Sequence, residues 1–243
     1  MSTNILMLAS SIEAVDEQGK QFCPSLAETN GMSVLEKVIL NTNNISKKIY
    51  TLTGLDSDLK SFKLDHIIST ILPESHVVST MTRTSGSLCT ALLAASQLNQ
   101  DDELLIISMN ELVDIDYSVV LENFRSNSYA GGVITFESIH PRYSFVRLDE
   151  LVVTEVSQHD PISKNATTGS FWFQSTRDFV TGAKKSILKG VQSEGYFYIA
   201  PVYKEMILAR QLVGSFKMDK RNYFPLKDQV QLNNFLKAGI NEI

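Results

Sequence analysis

Two segments of this chain are apolar without relief: Ile5-Leu6-Met7-Leu8-Ala9, and the Leu104-Leu105-Ile106-Ile107 centre of Glu103–Ser108. A strand with one wet face alternates apolar and polar residues, so unbroken runs belong to strands covered on both faces. Such strands need helices above and below the sheet, and the sequence between them supplies helical patterns. Val34, Leu35, Val38 and Ile39 repeat on one helical face behind Ser33, a natural N-cap. Residues 86–98 are rich in Ala and Leu, and a further helix from Tyr117 to about Arg125 follows Asp116 as its cap. Residues 48–53, closed by Gly54, and 76–79 read as strands, with a helix over 56–72 ended by Pro73. Strand and helix thus alternate through the first half, which predicts βαβ units and a largely parallel sheet.

Strands then dominate, at 132–136, 144–148, 151–156 and 169–173, before helices at Thr176–Leu188 and 200–210. A strand over 211–218 and a helix over 228–236 complete the reading. No linker or repeat divides the chain, so one domain is expected over residues 1–243.

Charge narrows the function classes. The chain carries 22 Lys and Arg against 27 Asp and Glu, a net charge of −5. A nucleic-acid binder needs a dense basic face to displace phosphate counterions. Cys23 and Cys89 match no metal or redox spacing, which points to a reduced intracellular setting. The first apolar run is too short for a secretory signal, and none reaches the length of a membrane span. The expectation is a cytoplasmic protein with neither nucleic acid nor membrane as partner.

An α/β sheet binds ligands beyond the C-terminal ends of its strands. Here that means the loop after Ala9 and the segment after Ser108. The first offers Ser10, Ser11, Ile12 and Glu13, with no glycine until Gly19, and makes a poor phosphate loop. The second brings Asn110, Glu111, Asp114 and Asp116 close in sequence. Two readings fit: these carboxylates hold a hard cation such as Mg²⁺, or Asp116 caps the next helix while Glu111 and Asp114 face water. His140-Pro141-Arg142 is either a turn built on Pro141 or an anion grip by Arg142. The hydroxyls of 165–170 either line a pocket or form a turn. No histidine stands in a nucleophile motif.

Several segments, in order, resemble the sugar-phosphate nucleotidyltransferases, which join a nucleoside triphosphate to a sugar phosphate and release pyrophosphate. Residues 22–36 are similar to the family run Y-P-K-P-L-x-E-x-x-G-K-P-x-I-E, and 86–95 to G-T-A-x-A-L-L-A. Residues 104–116 resemble the strand ending in N-G-D-x-x-x-D, and 140–149 the H-P-R-W-S-Y-V-R-L-D stretch of one subgroup. Val153-Thr154-Glu155-Val156, Ala166-Thr167-Thr168-Gly169 and the 195–203 segment, similar to G-x-F-Y-V-A-P-V-Y, follow in family order. The resemblance implies a Rossmann-like, three-layer α/β fold of the nucleotide-diphospho-sugar transferase type, with a mixed, mostly parallel sheet flanked by helices. It implies a nucleotide-binding region at Leu8, Ala9, Ser10, Ser11, Pro24, Gly86 and Ser87. Acceptor-side candidates are Arg142, Tyr143, Glu155, His159, Thr168 and Gly169, and Mg²⁺ in an active enzyme would fall to Asn110, Glu111 and Asp114.

The charged positions depart from the family. Its L-A-A-G-x-G-x-R loop reads Leu8-Ala9-Ser10-Ser11-Ile12-Glu13-Ala14-Val15, without either glycine or the Arg. The P-K-P lysine aligns with Pro24, the metal-binding Asp with Asn110, and the lysine of a following E-K with His159. The late G-T-P element reads Lys227-Asp228-Gln229. Removing one preorganised donor costs about 3 kcal/mol of transition-state stabilisation, and here several go together. The resemblance therefore implies a pseudoenzyme that keeps the fold for a nucleotide or sugar-phosphate ligand. It would act as a binding or regulatory partner, as a homo-oligomer or with an active paralogue, in capsule or other surface-polysaccharide biosynthesis. The alternative is an active Mg²⁺-dependent nucleotidyltransferase with a rebuilt site.

Overall fold

A computed structural model describes residues 2–9 and 21–238. β1 (Thr3–Leu8) is buried at every position. A 3₁₀ turn (Pro24–Leu26) and a small hairpin, β2 (Glu28–Thr29) and β3 (Met32–Ser33), lead into α1 (Val34–Asn41). Ser33 caps α1 in a reciprocal box: Ser33 Oγ accepts from the Glu36 amide, and the Ser33 amide donates to Glu36 Oε2 at 2.8 Å. β4 (Lys48–Leu55), α2 (Asp56–Ser61), α3 (Leu64–Ile71), β5 (His76–Thr80), α4 (Ser87–Ala95) and β6 (Glu103–Ser108) complete the first half. β7 (Glu111–Val113), α5 (Tyr117–Ser126), β8 (Gly131–Glu137), β9 (Ser144–Asp149), β10 (Val152–Gln158) and β11 (Asn165–Phe173) follow. The chain continues through α6 (Thr176–Leu188), α7 (Val202–Leu208), β12 (Val213–Lys217), β13 (Tyr223–Pro225) and α8 (Gln229–Ala238).

Nine of these strands form one sheet in the order β5-β4-β1-β6-β11-β8-β12-β10-β9. The two apolar runs explain its three layers. Ile5 and Met7, with Leu105 and Ile107, pack against α1, α5 and α8 on one face. Leu6 and Leu8, with Leu104 and Ile106, pack against α4, α6 and α7 on the other. Continuous apolar sequence is the sign of this double covering.

The expectation of a mostly parallel sheet holds for β5-β4-β1-β6, where every pairing is parallel. Beyond β6 the sheet is mixed: β11 runs antiparallel to both β6 and β8, and of the later pairings only β8 with β12 is parallel. β11 also meets β9 at Ala166 and Phe145, so β11, β8, β12, β10 and β9 close into a five-stranded barrel. For β9 and β10 the physical reason is local. β9 and β10 are joined at Glu150, which adopts a left-handed φ of 54°, and so tight a hairpin can only pair strands antiparallel.

Two further expectations change. Gly54 does not close β4 but lies inside it, and a Cβ there would come within 2.7 Å of the Ala9 carbonyl oxygen. The helix expected over 56–72 divides at Lys63, whose φ is 53°. The break lets Leu59 reach the same core as Leu64 and Ile68, which one straight helix would turn apart. The β7–β13 ribbon is new, and it carries Glu111 and Tyr223 beneath the sheet ends.

Candidate functional site

Two adjoining cavities open at the C-terminal ends of β1, β4 and β6, and Leu8 and Ser87 line both. The wider one, of about 630 Å³, is bordered by Ala9, Gly54, Thr84, Gly86, Glu194 and Tyr196. The narrower, of about 190 Å³, lies between the end of β6 and the β10–β11 side, with Asn110, Tyr143, Gln158, Gly169, Tyr198 and Lys227 in its wall.

Gly86 builds the wider cavity. Its φ is +122°, and a Cβ there would come within 2.3 Å of the Phe197 carbonyl oxygen. The absence of a side chain lets the Leu88 amide donate to that oxygen at 3.1 Å, and the Phe197 amide donate to Ser85 O at 2.8 Å. The start of α4 is thereby fastened to the 196–198 segment. Of the expected nucleotide-side residues, Leu8, Ala9, Gly86 and Ser87 come together here. Pro24 is instead buried in its 3₁₀ turn and borders neither cavity. Ser10 and Ser11, with the rest of that loop, lie outside the described residues.

On the acceptor side, Tyr143, Thr168 and Gly169 line the narrower cavity. Gly169 is another close approach, since a Cβ would meet the Ser108 Cβ at 2.6 Å. Three expected acceptor residues stand elsewhere. Arg142 is exposed, with Nε donating to His140 Nδ1 at 3.3 Å and a guanidinium nitrogen 3.5 Å from Asp228. Glu155 is exposed on β10 and paired with Arg147. His159 places Nδ1 3.1 Å from Ser193 Oγ and its ring against Tyr198, behind the cavity wall.

The carboxylates after β6 do not converge. Glu111 is 2% exposed; its Oε1 accepts from the Gly169 amide and its Oε2 from the Tyr223 hydroxyl at 2.8 Å. Asp114 is exposed and accepts from Asn41 Nδ2 at 3.2 Å. Asp116 caps α5, accepting from the Ser118 amide at 2.8 Å. Asn110 is neutral, and its Oδ1 accepts from Ser108 Oγ at 2.8 Å. Lys227 completes the picture, with Nζ 3.8 Å from Glu111 Oε2. A hard divalent cation takes several free oxygens, anionic ones foremost. Here one carboxylate already accepts a hydrogen bond on each oxygen, its neighbour is an amide and an ammonium stands beside them. Among the described residues no group of three His, Cys, Asp or Glu is placed to hold a metal. The set Asn110, Glu111 and Asp114 does not fit Mg²⁺.

Hydroxyls and amides share the rest of the wall with the apolar side chains of Leu8, Phe171, Ile199 and Ala200. Burial raises the phenols of Tyr143 and Tyr198, and raises Tyr223 far above the ordinary tyrosine value with Glu111 adding to the effect. All three therefore stay protonated donors at neutral pH. Lys227, Gln158 and Tyr198 did not stand out as site residues in the sequence. Lys227 counts there only as a departure from G-T-P, and its partner Glu111 is more than a hundred positions away.

No protein-family model and no curated relative matches the sequence. Solved structures do match. A nucleoside-diphosphate-sugar pyrophosphorylase from Vibrio cholerae superposes with a TM-score of 0.77 at 13% identity, over 96% of this chain and 99% of the other. UDP-glucose pyrophosphorylase in complex with UDP-glucose gives 0.76 at 9% identity over 100% of both chains. The inositol-1-phosphate CTP transferase of T. maritima gives 0.73 at 12% identity, over 98% of this chain and 95% of the other. The fold is that of the nucleotidyltransferases.

Proposed function

We propose that this chain, built on the nucleotidyltransferase fold, binds a nucleotide or sugar-phosphate ligand across its two cavities and does not carry out nucleotidyl transfer. The observation behind this reading is the set of groups at the end of β6: an amide at Asn110, a Glu111 with a hydrogen bond on each oxygen and the ammonium of Lys227 beside it. Transfer between phosphates rests on positioning and on neutralising developing charge with metal ions and cations. The site keeps walls that can hold a ligand, and among the described residues it lacks a group of anionic oxygens placed to hold the metal. The names of the similar structures, pyrophosphorylases and a CTP transferase, support the ligand class. Its role is that of a regulatory or scaffolding partner, as a homo-oligomer or beside an active paralogue, in surface-polysaccharide metabolism. A cytoplasmic place, away from nucleic acid and membrane, accords with the net charge of −5 and the two free cysteines. Among the described residues no helix is long and apolar enough to cross a membrane.

A pyrophosphate-release assay with the four common nucleoside triphosphates, Mg²⁺ and several sugar 1-phosphates tests this. Ordinary enzymes turn over at about 10 per second. Turnover near that rate overturns the proposal; the expected result is a signal lower by several orders of magnitude.

A further inference from the structure

We propose that Lys227 is the resident cation of the narrower cavity, so that the site takes the phosphate ester of its ligand without a divalent metal. This rests on the ligand-binding reading above and adds the means by which the ligand's charge is met.

Among the described residues only two charged side chains line this cavity, Glu111 and Lys227. Glu111 is buried and already holds an amide and a hydroxyl, so its charge is spread over partners that cannot leave it. Lys227 is different. Its side chain is 37% exposed, and 3.8 Å from Nζ to Oε2 is longer than a direct charge-assisted bond. The Tyr143 ring, with its centroid 5.9 Å from Nζ, flanks the ammonium on a second side. The cation is thus kept at the cavity while its N–H donors remain open to another oxyanion.

The neutral groups repeat the pattern. Ser108 Oγ donates to the Asn110 amide oxygen at 2.8 Å, and Ser144 Oγ donates to that of Gln158 at 2.5 Å. With both oxygens taken, each carboxamide has its NH₂ left to offer. An ammonium and two amide NH₂ groups form a wall of donors. Such a wall suits a phosphate and repels a metal ion, which needs acceptors.

Two measurements test this. Isothermal titration with glucose, mannose and N-acetylglucosamine 1-phosphates and the four nucleoside triphosphates is run in EDTA and again in excess Mg²⁺. The expected result is a sugar phosphate whose affinity is the same in both buffers and falls about tenfold or more in Lys227→Gln. Lys227→Arg should retain most of the affinity, which separates loss of charge from loss of fold. Binding that needs Mg²⁺, or that ignores Lys227→Gln, overturns this inference and leaves the ligand-binding reading standing. No binding by any probe overturns both. The second measurement needs no ligand. Mn²⁺ titrated into the protein alone and followed by electron paramagnetic resonance should show no stoichiometric site. A site lost in Asn110→Ala would overturn the inference and the metal-poor donor set behind the non-catalytic reading, while leaving ligand binding standing.

Discussion

Tyr223 donates its hydroxyl to Glu111 Oε2 at 2.8 Å, across 112 positions of sequence. With the Gly169 amide on the other carboxylate oxygen, this bond ties β7, β11 and β13 together beneath the narrower cavity. The cavity floor is therefore a hydrogen-bonded unit, and its parts should fail together.

Tyr223→Phe removes one donor from a carboxylate that keeps others, and should cost about 1–2 kcal/mol. Glu111→Ala leaves Tyr223, Gly169 and Lys227 without their shared acceptor, and should cost about 3 kcal/mol. Urea unfolding of both variants and of the double variant measures this. Strictly additive losses would show that the unit does not exist.

Gly86→Ala combines a φ of +122° with a Cβ placed 2.3 Å from a carbonyl oxygen. It should destabilise by about 2 kcal/mol or more. Gly169→Ala forces Ser108 and Glu111 aside, with an expected cost of about 1–3 kcal/mol and a loss of ligand affinity. Thermal melting with and without ligand compares them. A wild-type melting temperature in either variant would contradict these contacts.

Asp116 is one of the carboxylates that contribute to the acid response. The Ser118 hydroxyl, followed by Asn44, holds its carboxyl below the ordinary aspartate value. The fold thus favours the charged form, and the stabilisation is complete above the unfolded value of about 3.9. It is lost as pH falls through the lower folded value. Asp116→Ala should cost about 1 kcal/mol at neutral pH, with the gap to wild type closing as the pH falls below the ordinary aspartate value. Chemical denaturation at several pH values reads the trend, and a constant gap would refute it.

Both thiols are raised by burial, the buried Cys23 and the half-buried Cys89 alike. Neither forms much thiolate at neutral pH, so iodoacetamide should label both slowly. Labelling rates should keep climbing beyond pH 9, the range in which an ordinary thiol levels off. Mass spectrometry after timed alkylation checks each site. Rapid labelling of Cys23 at neutral pH would mean that its surroundings open.

The sequence held more of the fold than of the site, for physical reasons. Thr176–Leu188 and Glu103–Ser108 could be bounded to the residue because their periodicity and caps are local. The barrel closure could not be read, since it depends on Ala166 meeting Phe145, and no local pattern encodes a single distant pairing. Leu8, Gly86 and Ser87 were legible because strand ends and a helix start mark them. Lys227 was not, because its meaning comes from standing beside Glu111, and the motif position of Pro24 does not report that it is buried away from both cavities.

Barrel closure also has a consequence in time. Residues 131–173 supply β8, β9, β10 and β11, whereas β12, which separates β8 from β10, is not made until residues 213–217. On the ribosome, four strands must wait while α6 and α7 are synthesised, with the facing edges of β8 and β10 open. Unpaired edges recruit other chains. The interval between translation of residues 173 and 217 is thus when a nascent molecule depends most on a chaperone, and a stalled or truncated product from that interval should be the species that aggregates.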